Sequence, residues 1–125
     1  MKKLEWIQIK PLSVNQAYRG RRFKTNDYKK YEVDMFEALS EDMGISDKGQ
    51  LVLILEVRYS SRQSDIDNCI KPFLDILQKR FGFNDNRVFF LAITKEIVPK
   101  GEEGIGYMLA DMEEVSVFVA GEQIV

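Results

Sequence analysis

One segment constrains the fold of this chain more than any other, the run LVLILEVRYS at residues 51–60. Apolar side chains recur at every second position from Leu51 to Tyr59, so an extended backbone places them all on one face. Glu56 and Arg58 make the opposite face partly polar. This alternation predicts a strand that buries one face against a core. The rest of the chain has to supply the neighbouring strands and the layer that covers it.

Two segments have the apolar periodicity of amphipathic helices. The first prediction is a helix from Asp27 to Met43, with Asn26 as its cap and Gly44 as its stop. The second helix begins near Cys69 or Ile70, because Pro72 is tolerated only in the first turn, and it ends at 81–83. The apolar stripes are Tyr28, Tyr31, Met35 and Leu39, widened by Phe36, in the first helix and Ile70, Phe73, Leu74 and Leu77 in the second.

The remaining segments complete an α+β pattern. Strands are predicted at 5–10, at 88–98 and at 115–120, because these segments alternate or are rich in β-branched and aromatic residues. Residues 13–25 have the composition of a loop, and 101–106 that of a turn. Residues 107–114 fit either a strand or an irregular helical turn. The prediction is one α+β domain over residues 1–125, with a mixed sheet and two principal helices.

The composition removes several kinds of chemistry. The 125 residues include no His and one Cys, Cys69. Serine triads, imidazole acid–base catalysis, disulfides and cysteine zinc sites all need residues that are missing. Hydrolysis by this chain would have to use carboxylates, lysine and metal. No apolar run approaches the length needed to cross a bilayer, and the Met-Lys-Lys start leads into a strand pattern, so a cytoplasmic protein is expected.

Positive charge is concentrated in one stretch. The chain has a net charge of −2, yet residues 19–30 hold six Lys or Arg against one Asp, a local +5 that leaves −7 for the remainder. Such a polar, basic loop can contact a nucleic-acid backbone. It can equally be a solvated loop.

The run SDIDN contains the strongest candidates for a metal site. Asp65 and Asp67 are one residue apart, and in extended backbone they point the same way. Asp85 follows the second helix in a polar turn and has to return to them through the fold. Clustered carboxylates suit Mg2+, which prefers oxygen ligands and supplies Lewis-acid chemistry for phosphodiester hydrolysis. Lys71, four residues after Asp67, can hold a phosphate oxygen.

Structural interpretations of the same residues remain open. An isolated D-x-D-N is more often a solvated turn with a helix cap. Lys71 can simply pair with Asp67 or Asp75, an arrangement that contributes only about 0.3–0.5 kcal/mol. An EF-hand is excluded, because Ile70 and Ile76 stand where its loop needs Gly and Glu.

Three stretches occur in the order and spacing of a known family: PLSVNQAYRG from Pro11, SDIDNCIKPFLDIL from Ser64 and GFNDNRVFFLAITK from Gly82. Together they resemble the RusA-type Holliday junction resolvases over roughly residues 11–95. The combination D-x-D-N-x-x-K followed by D-x-x-V is far more specific than any of its parts.

The resemblance implies a RusA-like fold and a homodimeric endodeoxyribonuclease. Such an enzyme resolves four-way (Holliday) DNA junctions by paired nicks, requires Mg2+ with Mn2+ as a substitute, and is encoded by bacteria or phages, often in prophages. Asp65, Asp67 and Asp85 match the essential acidic positions and Lys71 the essential lysine. DNA-contacting positions fall on the N-terminal motif, the loop after it and the approach to D-x-D: Asn15, Arg19, Arg21, Arg22, Lys24 and Arg62, with Pro11 and Ser13 in the same motif.

The chain departs from the family pattern in two places. Only Arg58 and Arg62 stand where members often carry a basic run, and Asn84-Asp85 stands where a pair of acids is common. These departures imply modest DNA affinity and weaker Mg2+ binding. Two alternatives therefore stay open: a protein that binds branched DNA without cutting it, and a nuclease for other branched or flap DNA.

Overall fold

The strand predicted at 51–60 lies in the interior of a four-stranded sheet. A computed structural model describes residues 4–13, 17–19 and 23–125. In chain order the elements are β1 (Glu5–Ile7), β2 (Tyr18–Arg19), β3 (Phe23–Lys24), α1 (Asn26–Ala38), β4 (Leu51–Tyr59), α2 (Ile70–Phe81), β5 (Val88–Ile97), β6 (Gly104–Asp111), β7 (Phe118–Val119) and β8 (Glu122–Gln123).

The sheet is mixed, with the strand order β1-β6-β4-β5. β4 runs antiparallel to β6 and parallel to β5, with Leu51 beside Val88 and Tyr59 beside Ile97. A parallel pair needs a crossover connection, and α2 provides it. The described residues thus confirm the α+β fold with a mixed sheet and two principal helices. Neither helix combines the length and apolar character that crossing a bilayer demands.

The core lies between the helices and one face of the sheet. The alternating residues of β4 that the sequence placed on one face are all buried, as are their neighbours Ile105, Tyr107 and Leu109 on β6. Tyr31, Met35 and Leu39 cover them from the α1 side, and Phe73, Ile76 and Leu77 from the α2 side. Phe73 meets Tyr107 edge to face at 5.7 Å between ring centroids, a favoured aromatic geometry. Most of both predicted helical stripes is therefore core, with Ile70 and Leu74 partly buried at its border, but Phe36, which was predicted to widen the first stripe, is exposed.

The end of α1 differs from the prediction. The helix stops at Ala38, five residues before the predicted Met43, and Leu39 is extended. Arg80 of α2 explains the early end, because its guanidinium donates to the carbonyls of Ser40 (2.9 Å) and Leu39 (3.3 Å). These contacts satisfy carbonyl groups that would otherwise need further helical turns. At the other end Thr25, rather than Asn26, is the cap, accepting from the Tyr28 amide.

Other boundaries also move. The first predicted strand is shorter, ending at Ile7, and the predicted loop at 13–25 contains the β2–β3 hairpin within its described part. The ambiguous segment 107–114 is strand to Asp111 and then a single 3-10 turn. Of the strand predicted at 115–120, only Phe118–Val119 pairs, in a hairpin with β8.

The segment predicted as a turn at 101–106 enters β6 at Gly104, because from there its backbone pairs with β4. Trp6 of β1 lies over the glycines of this part of β6. A Cβ on Gly104 would stand 2.5 Å from the Ile7 carbonyl oxygen and 2.6 Å from the Trp6 ring. A Cβ on Gly106 would meet only side chains, at 3.1 Å or more. The Arg58 guanidinium lies over the Trp6 ring, 4.1 Å from its centroid. Glycine in this strand thus serves close packing.

We predict that Gly104→Ala lowers the free energy of unfolding by about 1–3 kcal/mol, the usual cost of overpacking. The new methyl group would collide with backbone, which cannot rotate away as a side chain can. Urea denaturation measures the change as a lower midpoint at constant slope. Gly106→Ala is the matched control, and its loss should be smaller because the exposed Trp6 ring can shift. Equal losses at the two positions would contradict this explanation.

Candidate functional site

Asp65 and Asp67 lie in the connection between β4 and α2, which we call the acidic loop (residues 60–69). Its backbone is turned rather than extended: the Asn68 amide donates to the Asp65 carbonyl (3.3 Å) and the Ile70 amide to the Asp67 carbonyl (3.1 Å). The alternation argument for the two aspartates therefore does not apply. Both residues are exposed on the same short loop at the C-terminal end of β4.

Three side chains hold the acidic loop in place. The Tyr59 hydroxyl donates to the Asp65 carbonyl (3.3 Å), and the Asn68 amide reaches a carboxylate oxygen of Asp65 (3.5 Å). The Lys95 ammonium on β5 donates to the carbonyls of Arg62 (3.1 Å) and Ser64. Burial, followed by a hydrogen bond with Cys69, raises the pKa of Tyr59, so its hydroxyl stays protonated and able to donate. Tyr59 and Lys95 are thus positioning residues.

Lys71 is in the first turn of α2, at the same end of the sheet as the acidic loop. Its ammonium lies 3.6 Å from a carboxylate oxygen of Asp75, with 61% of the side chain exposed. Lys71 therefore pairs with Asp75, which is one of the two structural interpretations that the sequence left open. An exposed pair of this kind is worth well under about 1 kcal/mol, so the ammonium can turn toward an incoming phosphate at little cost.

Asp85 lies at the opposite end of the sheet. It begins a 3-10 turn that leads into β5 at Val88, and its amide donates to the Gln78 side chain (2.9 Å). Because β5 runs parallel to β4, Asp85 is near the Leu51 end while the acidic loop follows Tyr59. Eight residues of strand separate these ends, on the order of 26 Å at a rise of about 3.3 Å per residue. Within one chain the fold does not return Asp85 to Asp65.

The described residues accordingly contain no group of three or more His, Cys, Asp or Glu side chains arranged to hold a metal ion. Mg2+ commonly uses one or two carboxylates and keeps several waters, with substrate phosphates completing its shell. Asp65 and Asp67, both exposed on one loop, fit that limited requirement. They are a candidate pair of exposed carboxylates, and Asp85 does not lie with them within the chain.

The predicted DNA-contacting residues divide into four groups. Asn15, Arg21 and Arg22 lie outside the described residues, and Arg19 is in β2. Arg62 is exposed on the acidic loop, close to the aspartates in sequence. Lys24 pairs with Glu32 of α1.

Glu32 of α1 forms ion pairs with two lysines. Its carboxylate accepts from Lys24 (3.0 Å) and from Lys79 (2.9 Å). Burial alone would raise the pKa of Glu32, but the hydrogen bonds from Lys79 and Lys24 outweigh it and hold the pKa below its ordinary value. Part of the positive charge expected on the basic stretch is therefore neutralised by α1.

One acidic residue near the acidic loop escaped sequence reasoning. Glu103, immediately before β6, is only 7% exposed. Its carboxylate accepts from the Ser60 hydroxyl (3.1 Å) and from the Gly101 amide (2.5 Å). It lines a cavity of about 280 Å3 together with Ser13 of the N-terminal motif and Asn68 of the acidic loop. No local sequence pattern marks Glu103, because only the β4–β6 pairing brings it to this end of the sheet.

Comparison with known proteins adds no assignment. The sequence matches no protein-family model, and no curated protein is recognisably similar to it.

We predict that Lys95→Met exposes the acidic loop to trypsin. The bond after Arg62 is the one whose carbonyl Lys95 holds, so losing the ammonium should raise cleavage there severalfold, since proteolysis tracks local opening. Mass spectrometry of timed digests measures the Arg62–Gln63 cut. Lys100→Met, on the exposed turn after β5, is the control and should leave that rate unchanged. Equal cleavage in both variants would show that Lys95 does not hold the loop.

Proposed function

We propose that this protein is a RusA-like, Mg2+-dependent endodeoxyribonuclease that resolves four-way DNA junctions by paired phosphodiester hydrolysis. The observation that carries the proposal is the grouping of Asp65, Asp67 and Lys71 at one end of the sheet, on an anchored loop and the helix it starts. Metal-assisted phosphodiester hydrolysis uses carboxylates to hold the metal and a nearby ammonium to offset phosphate charge. The ordered resemblance of three sequence stretches to RusA-type resolvases narrows the substrate to branched DNA.

Each residue then has a defined task. Asp65 and Asp67 hold Mg2+, which when bound supplies Lewis-acid stabilisation of charge on the scissile phosphate. Lys71 turns from Asp75 to the phosphate and offsets its negative charge. Tyr59 and Lys95 keep the loop in one conformation, so the carboxylates are placed before substrate arrives. Arg62 and the basic stretch contact the DNA backbone, where such contacts fix orientation.

In this proposal a second copy of the chain supplies Asp85 to the acidic loop. β5 is an edge of the sheet, ten residues long, with Phe89 64% and Leu91 42% exposed. A long apolar edge strand is a ready surface for pairing with another chain. In a dimer with a two-fold axis, two such edges meet antiparallel.

Within one chain, Asp85 and the acidic loop lie at opposite ends of the sheet. Antiparallel pairing of two β5 strands would place the Asp85 end of one protomer beside the acidic-loop end of the other. If the two-fold axis passes near Leu91, the partner's Asp85 falls opposite Ile97. That position neighbours Lys95, whose ammonium holds the acidic loop. Each acidic loop would then be completed by the other protomer's Asp85. The dimer would carry two sites, as paired nicking of two strands requires.

A protein that binds branched DNA without cutting it is the second candidate. The observation that favours it is the separation of Asp85 from the acidic loop within the chain. The third candidate is a nuclease for flaps or other branched DNA, which would use the same residues. Cleavage and binding measured on junction, flap and duplex DNA distinguish these functions.

We expect the wild-type protein to nick a synthetic four-way junction in millimolar Mg2+ or Mn2+ and not in chelator. Asp65→Asn should slow cleavage by about a hundredfold or more, the scale of losing one group that stabilises transition-state charge. Rates on junction, flap and duplex substrates identify the preferred structure. Junction binding without any cleavage would favour the second candidate, a protein that binds branched DNA without cutting it. Cleavage by Asp65→Asn at the wild-type rate would show that Asp65 is not a site residue.

Mixing two inactive variants tests whether the site is shared. If the partner supplies Asp85, a dimer of Asp67→Asn with Asp85→Asn contains one intact site, and random mixing restores about a quarter of all sites. Denaturing gels should then show single nicks without paired resolution. Mixing Asp65→Asn with Asp67→Asn is the matched control and restores nothing, because both changes fall on the same half of each site. No recovery in the first mixture would place Asp85 outside a shared site.

A further inference from the structure

The cavity beside the acidic loop joins two sequence motifs that are about fifty residues apart. Pro11 and Ser13 come from the N-terminal motif, and Ser64 and Asn68 from the acidic loop. Asn68 also donates to the Asp65 carboxylate, so one side chain borders both the cavity and the candidate metal site. With about 280 Å3 of space, the cavity is near the lower end of the range for small-ligand sites.

Most of the residues that line it are polar, Pro11 and Tyr59 supply apolar surface, and Glu103 and Lys10 are its charged residues. Hydrogen bonds from its own amide, from the Gly101 amide and from Ser60, with the charge of Lys10, hold the pKa of Glu103 below its ordinary value. The carboxylate is therefore ionised and can only accept. These three donors leave about one of the four lone-pair positions of the carboxylate available. Serine hydroxyls, which donate or accept, line the same cavity.

We propose that this cavity binds one unstacked nucleobase next to the scissile phosphate and that Glu103 selects bases that present an amino group. The inference rests on the proposed nuclease function and names the specificity of that same site. An ionised acceptor favours the amino groups of cytosine, adenine or guanine and disfavours thymine, whose exocyclic atoms are carbonyl oxygens. Glu103 is a specificity-determining residue in this account.

A base fits the cavity better than the other groups that DNA offers. A buried carboxylate repels phosphate, which disfavours the DNA backbone as the occupant although Lys10 also lines the cavity. The acidic loop beside it is where the scissile phosphate would lie, and a neighbouring nucleotide placed there has its base within reach of the cavity. Unpaired nucleotides at a branch point can enter at a low unstacking cost.

The first test varies the base on each side of the cut in a four-way junction. We expect wild-type kcat/KM to be at least about fivefold higher with cytosine, adenine or guanine than with thymine at one position, the low end of one good base contact. A junction carrying 2-pyrimidinone, which is cytosine without its amino group, should be cut as slowly as the thymine junction. Equal rates for cytosine and 2-pyrimidinone would overturn the proposal without any variant.

Glu103→Gln is the matched variant, because the amide keeps the shape and can both donate and accept. It should bring the rates for thymine and cytosine within about twofold of each other. Asp111→Asn is the control: Asp111 is also a buried carboxylate on β6, at the far end of the strand, held by Ser46, and its loss should leave base preference intact. If Glu103→Gln cuts all junctions more slowly but keeps the preference for cytosine over thymine, Glu103 has only a structural role.

A binding measurement separates this inference from the nuclease proposal. Fluorescence anisotropy without metal compares short oligo-dC and oligo-dT on the wild-type protein and on Glu103→Gln. Tighter wild-type binding of oligo-dC, lost in the variant, supports the base cavity even if no cleavage is ever observed. Equal wild-type affinities for the two oligonucleotides would overturn the base cavity while leaving junction cleavage to its own test.

Discussion

The parallel pairing of β4 with β5 is the constraint on which the rest of the structure depends. Two adjacent parallel strands need a crossover, and α2 makes it while covering the core face of the sheet. The connection that leaves β4 must then lie at one end of the sheet, and the connection that enters β5 at the other. The positions of the acidic loop and of Asp85 both follow from this one pairing.

The same pairing fixes how the acidic loop is supported. The loop leaves β4 at Tyr59 and passes over the end of β5, where Lys95 is placed to bind its carbonyls. β6, antiparallel to β4, starts at this end and contributes Glu103 to the adjoining cavity. A strand edge, a helix start and two motif segments therefore meet around Asp65 and Asp67. Asp85 is excluded for the same topological reason, which is why the proposed site needs a second copy.

Much of the fold was predictable because it rests on local periodicity. Alternation predicted β4, the helical stripe and Pro72 predicted where α2 begins, and Gly82, in the left-handed conformation, ends it as expected. Predictions were wrong where a distant residue decides. Arg80 ends α1 early by taking carbonyls that no local pattern reveals, and pairing with β4 makes residues 104–106 strand although their sequence resembled a turn.

By itself the sequence determined the α+β pattern, the two core-facing helices and the candidate chemistry, because the absence of His leaves carboxylates, lysine and metal. The neighbours of those candidates were decided by tertiary structure. Strand pairing moved Asp85 away from Asp65 and brought in Lys95 and Glu103, two residues with no local signal. Periodicity reports which face of an element is buried. It contains no information on which strand ends share an edge, and that is set by long-range pairing.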